Sequence, residues 1–181
     1  MKRGTCAVLV SLVTVLATTA CSIDVREHDS NGKADVDIKS VVGNISVRAD
    51  STAKDTGLPI YPGAQILRDG ADEPGSADVS VGNSLFGMKV VASKFESNDS
   101  QERVLEFYRN EMKALGRVTE CRGEVDFRGA DGSEAVCREK AFARDTQLVV
   151  GTEADQRIVA VKPRGNGTEF ALVHLQLRNP S

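Results

Sequence analysis

The chain has 181 residues, 26 of them acidic and 23 basic, a formal net charge of −3 and no tryptophan. That length suits one domain plus a shorter segment. A mildly acidic chain with scattered Lys and Arg lacks the electrostatic footprint of a nucleic-acid binder, and no polybasic run marks an anionic lipid surface.

Met1-Lys2-Arg3-Gly4-Thr5 is a short basic start. An apolar run from Cys6 to Ala17 follows, and then Thr18-Thr19-Ala20-Cys21. A basic start, an apolar stretch too short to span a bilayer well, and small residues before a cleavage site make a secretory signal. The Ala20-Cys21 junction resembles the lipobox of bacterial lipoproteins, with Thr18 where Leu is commonest. The resemblance implies a diacylated Cys21 thiol, cleavage after Ala20 and acylation of the new amino group. The other reading is ordinary secretory cleavage after Ala20, with Cys21 incidental. No second apolar stretch is long enough for a transmembrane helix, so attachment would rest on the lipid at Cys21. Three acyl chains, at about 0.8 kcal/mol per buried methylene, hold stably. Ser22 follows the cysteine. In the sorting rule of such lipoproteins Asp there means retention at the inner membrane. The resemblance therefore implies an exported protein anchored in the cell envelope, at the outer membrane facing the periplasm.

Residues 22–34 are polar and aperiodic, which predicts a tether. Val36 and Ile38, then Ile45 and Val47, alternate with polar residues about Gly43-Asn44, which predicts a short β-hairpin. That stretch weakly resembles one repeat of bacterial β-solenoid adhesins, but a solenoid needs about three. A lone hairpin is marginal, so it must dock or stay loose. Residues 49–57 read as a second linker. The chain is thus expected to divide into a signal peptide over 1–20, a tether with a hairpin over 21–57, and a folded domain over 58–178.

Leu58-Pro59-Ile60-Tyr61-Pro62-Gly63-Ala64 opens that domain stiffly, since two prolines fix φ. Tyr61 is expected to pack on the sheet as a lock, with presentation to a ligand as the alternative. Residues 65–68 suggest a strand, and 69–77 an acidic Gly/Pro loop. Val79 and Val81, then Phe86, Met88, Val90 and Ala92, alternate around Gly82-Asn83-Ser84, which predicts two antiparallel strands. The helix is predicted over 100–115. Asp99 is placed to cap it, with Glu102 completing a capping box. Val104, Leu105, Tyr108, Met112 and Leu115 form its apolar stripe, and Gly116 its stop. Phe107, beside Arg109, is placed at the margin of the stripe. Strands are predicted over 118–127, 134–141, 147–151, 157–162 and 169–177. In the last, Ala171, Val173, Leu175 and Leu177 are expected to face the core and His174 the polar side. Strands, one helix, then strands predict an α+β fold: an antiparallel β-sheet with one main helix packed on one face.

Of four cysteines, Cys6 leaves with the signal and Cys21 takes lipid. Cys121 and Cys137 remain in a compartment that oxidises thiols, so a disulfide between them is expected. It would close a loop of about 15 residues and contribute roughly 3 kcal/mol. A two-Cys metal site is the alternative, though His28 and His174 are both remote in sequence.

The LPIYPGA segment at 58–64 combines with Asp99-Ser100, Val104 and Phe107-Tyr108 of the helix. Together with the stretch from Gly151 to Val173 they resemble a set of uncharacterised exported bacterial lipoproteins. The resemblance covers most of 58–177 and carries over no activity and no functional residue.

The remaining motifs carry little chemistry. Ser30-Asn31-Gly32-Lys33 and Ser51-Thr52-Ala53-Lys54 spell Ser-x-x-Lys, but both lie in predicted linkers without a Lys-Thr-Gly partner. Gly165-Asn166-Gly167 reads as a hairpin turn, not a phosphate cradle. The acids at 29–37 and at Asp69, Asp72 and Glu73 lack the spacing of a calcium loop. His174 has no nucleophile of recognisable context. No catalytic residue, cofactor or metal is expected. The sequence points to a lipid-anchored envelope protein of non-catalytic binding or assembly type, with the membrane and an envelope protein as partners. The alternative is a small-ligand carrier or enzyme using a groove between helix and sheet.

Overall fold

The computed structural model describes residues 22–28, 33–40, 43–48, 53–68, 75–83, 85–130, 132–141, 143 and 145–178. The early strands are β1 (Ser22–His28), β2 (Lys33–Ser40) and β3 (Gly43–Arg48). A 3-10 turn over Ala53–Thr56 precedes β4 (Gln65–Ile66), β5 (Ser76–Gly82) and β6 (Gly87–Ser97). Helix α1 (Gln101–Lys113) follows. Then come β7 (Thr119–Cys121), β8 (Gly123–Arg128), β9 (Glu134–Glu139), β10 (Thr146–Gly151), β11 (Asp155–Arg164) and β12 (Gly167–Arg178).

Among the described residues one antiparallel sheet runs β1-β2-β3-β5-β6-β12-β11-β10-β7, with β4 pairing β6. Helix α1 lies over β10, β11 and β12. The fold is α+β, an antiparallel sheet with one helix on one face.

The helix forms where its stripe predicts. Val104, Leu105, Tyr108 and Met112 are at most 2% exposed. They meet Leu148 and Val150 of β10, Val159 and Val161 of β11, and Phe170 and Leu172 of β12 in one apolar cluster. Leu115 falls past the last turn and stands 45% exposed. The N-cap is Ser100, with no side-chain cap bond. Asp99 does not cap, because its carboxylate accepts from the Tyr61 hydroxyl and from Arg103 instead.

The expected core face of β12 is reversed. Phe170 and Leu172 lie against the helix, while Ala171, Val173, Leu175 and Leu177 are half-buried on the other face. Both sets are apolar, so alternation alone does not choose between them. The neighbours choose: Phe170 pairs with Val161 and Phe95, and Leu172 with Val159. His174 shares that inner face and is 9% exposed.

A hairpin over 36–47 forms as β2 and β3, but Gly43 and Asn44 are not its turn: they are paired in β3 opposite Ser40 and Lys39, and the hairpin docks by its edge, Ile45 pairing with Val81 and Val47 with Val79. Where composition predicts a tether over 22–34, Ser22–His28 is a strand paired to β2. The register accounts for the polarity of this half. On the helix side it carries Asp37, Ser46, Ser80 and Asp78, the last ion-paired with Lys89 at 3.2 Å. Such a face requires no helix, and α1 covers only the apolar half of the sheet. The second predicted linker also differs, since Thr56 of the 3-10 turn is fully buried.

The predicted strand over 118–127 is two strands in two sheets. Among the described residues β7 pairs with β10, whereas β8 pairs only with β9. The break is at Gly123, whose φ is +151°. A Cβ there would stand 2.2 Å from the Arg138 carbonyl oxygen, so only glycine lets β9 approach.

Candidate functional site

Four places combine chemistry with defined geometry. The predicted cysteine pair is formed. Cys121 on β7 and Cys137 on β9 are disulfide-bonded, with Cα atoms 5.2 Å apart. Cys121 is 1% exposed, and the Thr119 hydroxyl donates to the Ala135 carbonyl at 3.3 Å. The bridge thus fastens the β8–β9 hairpin to the end of the main sheet. Cys21 lies outside the described residues, as do Ser30, Ser51 and the acidic residues Asp69, Asp72 and Glu73.

The second place is the Pro-framed segment. Tyr61 is 9% exposed, with its ring edge-on to Phe107 at 5.2 Å and to Phe170 at 6.3 Å. Its hydroxyl donates to Asp99 Oδ2 at 2.8 Å. Burial and the neighbouring Asp99 push the Tyr61 phenol up, while the Tyr61 and Arg103 hydrogen bonds hold the Asp99 carboxyl below its usual range. Beneath it, the Tyr108 hydroxyl accepts from the Tyr61 amide and donates to the Pro59 carbonyl, each at 3.1 Å. Burial pushes the Tyr108 phenol far up. Tyr61 is therefore a lock, and Phe107 is half-buried against it. Beside the lock lies an open depression of about 330 Å³ lined by Tyr61, Pro62, Arg103, Glu106, Phe107 and Asn110. Tyr108→Phe should cost about 1–3 kcal/mol, because it strands the buried Tyr61 amide. Chemical denaturation measures this, and an unchanged midpoint would contradict it.

The third place is His174. Its Nε2 is 2.7 Å from Asp155 Oδ1, and Arg157 Nη1 is 3.6 Å from the same oxygen. Desolvation raises the Asp155 carboxyl, but the His174 hydrogen bond and charge, with Arg157, outweigh it and hold it low. Ser93 shares this inner face, one step along β6 from the Val91–His174 pair. Its hydroxyl is buried without a hydrogen-bond partner. Ser93 is paired across to Leu172 rather than to His174 and is 1% exposed, so it does not complete a Ser-His-Asp arrangement. The His174–Asp155 contact ties β11 to β12.

The fourth place is the β5–β6 turn, which the sequence predicts at Gly82-Asn83-Ser84 without marking Leu85 and Phe86 as exposed. The Asn83 carboxamide oxygen accepts from the amides of Leu85 at 2.8 Å and Phe86 at 2.9 Å. The Asn83 amide donates to the Phe86 carbonyl at 2.7 Å. This ordered turn holds Leu85 67% and Phe86 43% exposed. The available signal was Asn83-Ser84 followed by two consecutive large apolar residues, Leu85 and Phe86, beside a turn. A further polar groove of about 270 Å³, lined by residues including Glu96, Arg164 and Thr168, lies at the opposite end of the sheet. Arg164 is ion-paired with Glu96 there at 3.1 Å.

Among the described residues no three His, Cys, Asp or Glu side chains are grouped to hold a metal ion, and no helix is long and apolar enough to cross a membrane. No protein-family model, curated protein or solved structure matches the chain.

Proposed function

We propose that this protein is a lipid-anchored component of a bacterial cell envelope, exported by residues 1–20, acylated at Cys21, and acting by binding or assembly. The observation that carries the reading is the Cys121–Cys137 disulfide. Such bridges persist in oxidising compartments outside the cytosol. It occurs in a chain whose first 21 residues have the form of a lipoprotein signal. The helix–sheet interface is filled by Val104, Leu105, Tyr108 and Met112, which favours a surface function over a ligand held in a groove between the two. Delivery to the outer membrane, facing the periplasm, follows from Ser22 and belongs to the same proposal.

The test is fatty-acid labelling with fractionation of the full chain in a bacterium that processes lipoproteins. Wild-type protein should carry label and sediment with membranes. Cys21→Ser should lose essentially all label and leave the membrane fraction. Equal labelling and sedimentation of the variant would overturn the reading. Crosslinking in native membranes then identifies the partner.

A further inference from the structure

The strand register places one end of the sheet where the anchor must be. Ser22, the residue after Cys21, pairs with Lys39, and Ser40 with Gly43. Asn44 pairs with Gly82, Gly82 with Gly87, and Gly87 with Arg178. The start of β1, the β5–β6 turn and the end of β12 therefore lie along one end. From β1 to the β5–β6 turn is between three and four strand spacings, about 17 Å.

That same end carries the exposed apolar side chains. Among the described residues six large apolar side chains are exposed. Leu85 and Phe86 form the turn itself, and Ile45 lies directly behind it in the cross-strand row with Val81, Met88 and Leu177. Leu115 follows the end of α1, which runs from beside Thr146 toward this end but only as far as Val150, whose row through Arg157 and His174 lies four residues short of Arg178. Ile60 and Ile66 lie elsewhere, and Ile66 pairs with Phe95 toward the opposite end. A soluble surface gives no reason to hold adjacent Leu and Phe out in water on a turn fixed by three hydrogen bonds.

We propose that this end of the sheet rests on the bilayer, and that the β5–β6 turn inserts Leu85 and Phe86 into its interface beside the acyl chains on Cys21. This rests on the lipid-anchor reading and adds an orientation to it. β1 begins one residue after Cys21, so little chain separates the anchor from the folded sheet. A short connection brings this end to the membrane surface, and apolar area buried there adds to the anchor. Arg178, whose guanidinium lies over Gly87 next to Phe86, places positive charge at the headgroups. Acidic Glu153 and Asp155 belong to the β10–β11 turn, about three strand spacings or 14 Å from the insertion point, so the β1–β6 corner sits lower than the β10 corner.

The chain has no tryptophan, so a single one reports its own depth. Phe86→Trp and Asn166→Trp are made in the full-length acylated protein. Asn166 lies on the β11–β12 turn, about 35 Å from the proposed contact by the length of β12. Each protein is reconstituted into phosphatidylethanolamine/phosphatidylglycerol vesicles containing brominated acyl chains. Trp at 86 should be blue-shifted and quenched several-fold more than Trp at 166, and Leu85→Glu should reduce that quenching. Equal, weak quenching at both positions in acylated, vesicle-bound protein overturns the proposal and leaves the anchor standing. Absence of acylation in the labelling experiment overturns the anchor. Unacylated chain is then added to the same vesicles: selective quenching at 86 supports an inserting turn, and its absence rejects it.

Discussion

Replacing Cys121 and Cys137 together by Ala should lower stability by about 3 kcal/mol, through loss of a loop-closing bond of this size. The sequence separation is 16. For a chain of this length the expected fall in Tm is roughly 6–12 °C. The loss should also be local. Among the described residues β8 and β9 pair only with each other, and an isolated two-stranded hairpin is marginal in water. Its ion pairs, Arg138–Asp126 and Lys140–Glu124, are more than a third exposed and contribute little. Apart from the bridge, the hairpin is held by the Thr119–Ala135 bond, the Lys140 amide to the Arg122 carbonyl, Gln147 Nε2 to the Gly123 carbonyl, and, at its tip, the Glu153 amide to the Gly132 carbonyl at 2.9 Å. Hydrogen exchange in 123–139 should therefore accelerate more than in β11 or β12. An unchanged Tm for the double variant, or free thiols at both positions in the native mature protein, would contradict this.

The sequence was most legible where one face of an element is apolar and the other is not. The α1 stripe is such a case, and Val104, Leu105, Tyr108 and Met112 are buried as their spacing predicts. The hairpin turn at Gly165-Asn166 is another, because local turn chemistry fixes it. Legibility failed on β12, where Phe170 and Leu172 compete with Ala171, Val173, Leu175 and Leu177. A strand apolar on both faces does not encode which one the helix will cover. Non-local pairing decides that, through Phe95 on β6 and Val159 and Val161 on β11.

The Asp99 cap failed for a related reason. The residue has the chemistry of a cap, but Tyr61, 38 positions earlier, takes its carboxylate first. Nothing local announces that competition. The β7–β8 division was hidden because period-2 alternation continues through Arg122, and only the close approach of β9 at Gly123 separates the strands. At the candidate sites the pattern repeats. The disulfide was readable from cysteine number and the signal-like start of the chain. The β5–β6 turn at Gly82-Asn83-Ser84 was readable too, but the exposure of Leu85 and Phe86 was not, because Phe86 also fits the alternation of β6, and exposure depends on the carboxamide of Asn83 holding the turn beyond the sheet.

A chain beginning at Ala53 should fold cooperatively, within about 2 kcal/mol of the mature protein, and yet self-associate. The two expectations come from different surfaces. Every member of the apolar core cluster, from Leu58 to Leu172, lies after residue 53, and Thr56 of the buried 3-10 turn is retained. Among the described side chains the lost strands contribute pairing along β5, a polar helix-side face at Asp37 and Ser46, and Ile45 and Val47 on the opposite face, none of them in the core cluster. Their removal uncovers the whole outer edge of β5, where Asn44 to Arg48 had paired with Asp78 to Gly82. That edge is seven residues long, with Val79 and Val81 on one face. A bared strand of this kind is a template for another chain. Sedimentation should show concentration-dependent dimers or larger species for the shortened chain but not for the mature protein. Lys introduced at Val79 should suppress them, by placing like charges together at the new interface. A shortened chain that is monomeric would show that β5 retracts or is otherwise shielded. Loss of the cooperative transition would show instead that β1–β3 are integral to the folding unit, and the domain boundary would then move upstream of β2.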